Sequence, residues 1–186
     1  FRVVPPASAA ANLEQTTGAS GMEARIALAV AGTPEHAAEF LASPGRREAR
    51  RLMLRTISEL PRDDGWDVLS SAQELIAAVR VPVSETREAL SAMAEQDSDF
   101  LSPKAMKRME DAQKRELSAR ERSGMMELLA AAESLLRDAL VYAENAGTEN
   151  GPVNADVAEL VARLSVKPGP VGLIHALDVI RRAADD

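Results

Sequence analysis

Arg46, Arg47, Arg50, Arg51 and Arg55 crowd one short stretch, and their four-residue spacings gather cations on a helix face. Such a face suits a phosphate or an acidic partner; the competing reading is a solvated surface with no ligand. The other reactive residue types are sparse. His36 and His175 stand far apart, and neither has a second His or Cys at i+3 or i+4 to share a metal. His175 beside Ile174 reads as a packing residue, and His36 falls in the first turn of a helix. Asp63-Asp64, Asp97 with Asp99, and Asp185-Asp186 lie in turns or at an end, where carboxylates bond their own backbone. Met106, Met109, Met125 and Met126 read as core or interface filler rather than copper ligands. The chain has no Gly-rich loop ending in Lys-Ser/Thr, no dinucleotide fingerprint and no Gly-x-Ser-x-Gly elbow. No catalytic, cofactor-binding or metal-binding residue is therefore predicted.

Composition points the same way. Aromatic residues make up 3% of 186, so the core must be closed by Ala, Leu, Val and Met on closely spaced helices. A net charge of -7 opposes a chain whose main task is to grip a phosphate backbone. The absence of cysteine excludes disulfides and thiolate chemistry and fits a reducing compartment, with the cytoplasm as the expectation. No apolar run approaches the roughly 20 residues that span a bilayer, which predicts a soluble chain. It begins without Met and reads as a fragment of something longer.

Pro and Gly divide the chain into about nine helical segments. Three short helices precede Ser43-Pro44-Gly45, the expected domain boundary. The Arg-rich helix places Ala49, Leu52, Met53, Ile57 and Leu60 on one face and ends at Pro61. After Asp63-Asp64-Gly65-Trp66, a helix carrying Val68, Leu69, Ala72, Leu75, Ile76 and Val79 is predicted to stop at Pro82. A weaker helix from Ser84 to Glu95 closes in an acidic turn at Asp97 to Asp99. Ser102-Pro103 opens the longest segment, to Ala146, charged up to Arg122 and apolar after Gly124, a candidate kink. In its charged half, Glu110 with Lys114, Asp111 with Arg115 and Glu116 with Arg120 have ion-pair spacing. Leu128, Leu135, Leu136 and Leu140 on that helix, and Leu160 and Leu164 on the next, are the candidate core or interface residues. Asn154 is the expected cap of that next helix, with Asp156 in its first turn.

Three stretches taken in order resemble the delta-prime subunits of bacterial DNA polymerase III clamp loaders. These are Pro44 to Leu75, with its Arg-rich helix, Pro61-Arg62-Asp63-Asp64-Gly65-Trp66 and the Ser-Ser-Ala helix; Leu135 to Leu140; and Val153 through Leu164 with the helix to Arg182. The resemblance implies an all-α protein: a small helical AAA+ lid over 1–43, then a collar bundle with one long helix over 44–186. The nucleotide-binding domain that carries the family's arginine finger would lie upstream. Where an active AAA+ lid offers a sensor arginine, this chain reads Gly32-Thr33-Pro34-Glu35-His36, and His36 supplies no permanent charge.

The resemblance further implies a non-catalytic stator that assembles with gamma/tau and delta subunits to load the sliding clamp during DNA replication. It implies no cofactor, no small-molecule substrate, no membrane, and DNA contacts only through the complex. Two departures stand out: the charged stretch from Val83 to Arg122 is long for the family, and the chain ends before the last collar helix. Two alternatives stay open, the lid and collar of an active gamma/tau-type ATPase and an unrelated helical adaptor.

Overall fold

The computed structural model describes residues 6–62, 64–97, 102–146 and 151–185. Over these the chain is all-α, as its helical periodicity requires, with eight α-helices and two single turns of 3-10 helix. The helices are α1 (Pro6–Thr17), α2 (Gly21–Ala31), α3 (Pro34–Ala42), α4 (Pro44–Glu59), α5 (Gly65–Asp97), α6 (Pro103–Ala143), α7 (Ala158–Val166) and α8 (Gly169–Asp185). Asp63, Asp186, the turn beyond Asp97 and part of the loop before Pro152 lie outside the described residues.

The first three helices meet through small side chains. Ala24, Ala27 and Ala37 have no exposed surface and close on Leu13, Val30 and Phe40, so helices approach at a spacing that larger residues would forbid. This cluster also takes in Ala131 of α6, and Arg25 of α2 donates to the carbonyls of Gly151 and Pro152. Local capping defines the starts of α2 and α3: Ser20 and Glu23 form a reciprocal capping box at α2, and Thr33 caps α3 ahead of Pro34. Ser43 serves two helices. Its N–H donates to the last turn of α3, while its hydroxyl accepts from the Arg46 N–H to cap α4. The expected boundary at Ser43-Pro44-Gly45 is thus a sharp corner between helices.

The larger core lies further along the chain. Leu54 and Ile57 of α4, Ala132, Leu135, Leu136 and Ala139 of α6, Leu160, Val161 and Leu164 of α7, and Leu173 and Leu177 of α8 form one cluster. At about 1.5 to 3 kcal/mol for each fully buried large aliphatic side chain, this cluster is the main source of stability. It also revises the expected face of α4. Ala49 and Ile57 are buried as expected, but Leu54 replaces Leu60, which is exposed, while Leu52 and Met53 are half-buried.

Two breaks expected from the sequence do not occur. Pro82 lies inside α5, which runs 33 residues without interruption. A mid-helix proline costs about 3 kcal/mol; here its neighbours Val79 and Val83 are both buried, and two buried valines return at least that much. The ring also fits against Gly45, where an added Cβ would lie 3.3 Å from Pro82 Cδ. Likewise α6 continues through Gly124 for 41 residues, about 60 Å at a rise of about 1.5 Å per residue. Gly124 is instead a contact point, since a Cβ there would stand 2.7 Å from Val79 Cγ1.

The early turns of α5 depart from expectation as well. Val68, Leu69 and Ala72 are exposed and Leu75 and Ile76 only half-buried, because α5 packs on α4 and α6 further along. Trp66 is 76% exposed. Asp64 begins this helix as its type predicts: its carboxylate accepts from the N–H groups of Trp66 and Asp67, and Asp67 accepts in return from the N–H of Asp64.

Candidate functional site

The five arginines do not form one solvent-facing patch. Arg46 and Arg50 turn inward from α4, while Arg51 and Arg55 point to solvent and Arg47 is half-buried. The outward pair have acidic neighbours, Glu48 for Arg51 at 2.6 Å and Glu74 for Arg55 at 3.9 Å. Both pairs are exposed, so each contributes little.

The inward pair are structural joints. Arg46 bonds Glu127 of α6 through two guanidinium nitrogens and Glu39 of α3 at 3.2 Å. One side chain thereby fastens α3, α4 and α6 together. The hydrogen bonds to Glu127, reinforced by its charge and opposed by burial, raise the Arg46 pKa above its ordinary value and keep the ion pair intact.

Arg50 reaches further. Its Nη1 donates to Asp156 at 2.7 Å, and its Nη2 donates to Asn154 Oδ1 at 2.8 Å. Asn154 is 1% exposed, and its amide donates to Ser134 Oγ at 3.0 Å and Asp138 Oδ2 at 2.8 Å. Asp138 accepts besides from the backbone N–H groups of Val153 and Asn154. Residues from α4, α6 and the segment before α7 therefore share one polar network in which the Asn154 amide is fully engaged. Asn154 does hold the N-cap position, of the 3-10 turn Ala155–Val157 that leads into α7, with Asp156 in the first turn, but its side chain is spent on this network and makes no cap bond.

Every candidate leucine lies in the interior. Leu128, Leu135, Leu136, Leu160 and Leu164 are buried, and Leu140 is partly buried against the same cluster. A surface for a partner has to use other residues. Val171, Ile174 and Val179 of α8 are 83%, 56% and 50% exposed, and Val166 at the end of α7 and Tyr142 of α6 are also exposed. The even apolar pattern of α8 hid this division: Leu173 and Leu177 are inside, whereas Ile174 faces out. His175 is exposed too, rather than packed.

A cleft of about 750 Å³ opens between α3, α4, α5 and α6 and is lined by His36, Glu39, Arg46, Arg120 and Glu127 among others. Its charges answer one another, with Arg46 held by Glu39 and Glu127 and Arg120 bonded to Glu116. Such an arrangement supplies rigidity and leaves no single-sign field to hold a phosphate. Among the described residues no group of three His, Cys, Asp or Glu side chains is placed to hold a metal ion. No described helix is long and apolar enough to cross a membrane. Comparison with known protein families, characterised proteins and solved structures finds no match for this chain.

Proposed function

We propose that this chain is the lid-and-collar part of a clamp-loader stator of the delta-prime type, a non-catalytic assembly module of the bacterial replication machinery in the cytoplasm. Its partners on this reading are the gamma/tau and delta subunits. One observation carries it. The three stretches that resemble the family are separate in sequence, the first about a hundred residues from the third, and each sends a residue to the same network: Arg50 from the first, Asp138 from the second, Asn154 and Asp156 from the third. Motifs that converge on one structural joint are what a shared collar architecture requires, whereas coincidental helical similarity has no reason to converge.

The physical role follows from the layout. The buried joints at Arg46 and Arg50 hold α1 to α3 and the later helices as a unit, and the outward apolar side chains of α8 supply contact area for a neighbouring subunit. Size-exclusion chromatography of this chain with gamma/tau and delta subunits tests the reading. The wild type is expected to co-elute with them, and V171D/I174D is expected to fold and elute alone. A wild type that stays out of the complex overturns the assignment and leaves a free-standing helical adaptor.

A further inference from the structure

The charged half of α6 carries a row of cations that none of these roles uses. Lys104, Arg108, Arg115 and Arg122 are exposed and separated by four, seven and seven residues, close to whole turns at about 3.6 residues per turn. They therefore stand in one line, about 27 Å long at a rise of about 1.5 Å per residue. Lys107 and Lys114, also exposed, flank it. The opposite side of this half, with Met106, Gln113 and Leu117, is half-buried, and Gln113 donates to the Leu90 carbonyl of α5.

These cations differ from the α4 arginines in their company. Among the described residues none of the six has a carboxylate oxygen within 4.0 Å. Two acids of this half are engaged elsewhere, Glu116 with Arg120 and Glu121 with Arg80. The spacings of Glu110 with Lys114 and of Asp111 with Arg115 do not close into ion pairs. Asp111 alone interrupts the row, with Glu110 at its edge, and the residues between the cations include Ala112, Ser118 and Ala119, which are exposed and small.

We infer that this face of α6 binds the phosphate backbone of duplex nucleic acid without reading its sequence. A protein partner needs an apolar centre to its interface, whereas from Lys104 to Arg122 no large apolar side chain is exposed, and Met125 and Met126, 37% and 39% exposed, lie only beyond the end of the row. Two half-exposed methionines at one end of the row are far less than the continuous apolar face that a lipid surface requires. No aromatic side chain stands on the face to stack an unpaired base, which favours a duplex over a single strand. Small residues between the cations let a backbone approach closely. The overall charge of -7 makes the contact weak and steeply salt-dependent. The inference stands on this helix face and does not need the clamp-loader reading.

Fluorescence anisotropy of a short labelled DNA duplex, titrated with the 186-residue chain across a salt series, tests it. R108Q/R115Q/R122Q removes three cations of the row; R51Q/R55Q/R163Q removes three exposed cations elsewhere. The first triple is expected to weaken binding at low salt at least about tenfold and to flatten the slope of log affinity against log salt by about 2 to 3. The second is expected to change affinity less than about twofold. Thermal melts check both folds, and should the triple melt early, R115Q alone is expected to lower the slope by about 1. Equal losses in the two triples, no binding by the wild type at low salt, or tighter binding to phosphatidylserine vesicles than to the duplex would each overturn the proposal.

Discussion

Arg50 donates to the side-chain carbonyl of Asn154 at 2.8 Å across 104 residues of sequence, and both side chains are buried. The bond joins α4 to the segment that enters α7, and Asp156 supplies the countercharge.

Removing one member of this joint strands the others. Arg50→Ala leaves the buried Asn154 carbonyl unpaired and takes the countercharge from the exposed Asp156, and is expected to destabilise the chain by about 1 to 3 kcal/mol. Urea unfolding measures this. A loss below about 1 kcal/mol would mean that the network contributes no more than a surface ion pair.

Gly124→Ala sets two effects against each other. Alanine gains about 1 kcal/mol in helix propensity, but its Cβ would meet Val79 Cγ1 at 2.7 Å, and overpacking of that kind costs about 1 to 3 kcal/mol. Net destabilisation is expected, and G124A/V79A is expected to relieve the clash while leaving the cost of the lost valine methyls. Thermal melts of the two variants decide the order; a more stable G124A would show that the helices part freely.

The capping box at α2 has a pH signature. Hydrogen bonds from the Ser20 N–H and hydroxyl, aided by the charge of Arg47, hold the Glu23 carboxyl below its ordinary pKa. A lowered folded value means that the stabilisation is complete above the ordinary carboxylate range and disappears as pH falls through the folded value. In Ser20→Ala the Glu23 carboxyl, followed by NMR, is expected to titrate higher, and the cap loss to cost about 1 kcal/mol. An unchanged titration would rule the hydroxyl out as a cause.

Leu135 and Ile174 separate core from surface. Leu135 has no exposed area and Ile174 is 56% exposed. Leu135→Ala is expected to cost about 3 to 5 kcal/mol, whereas Ile174→Asp is expected to fold with nearly the wild-type melting temperature. Similar melting losses in both would place Ile174 in the interior.

On the stator reading the chain neither binds nor hydrolyses ATP. Calorimetric titration with ATP and magnesium is expected to give only heats of dilution. Saturable micromolar binding would favour the gamma/tau alternative.

Much of the fold was legible because helix formation is decided locally. Apolar spacing placed most helices, and Ser20, Thr33, Ser43 and Ser102 mark starts through bonds that reach only three residues ahead. The candidate leucines could be named, but whether each served core or contact depended on which helix covered it, and burial put them inside.

The sequence by itself determined an all-α chain and a long helix, opened at Ser102-Pro103, with one charged and one apolar half. Only the tertiary structure decided that Pro82 stays within α5, that Gly124 admits Val79, that Arg46 and Arg50 turn inward while Arg51 and Arg55 do not, and that the Asn154 side chain joins helices instead of bonding the N–H groups of the turn it opens. The physical reason is range. A cap or an apolar stripe acts over one or two turns, whereas a buried ion pair or a close helix contact exists only when residues tens of positions apart converge, and its energy then exceeds the local preference it overrides.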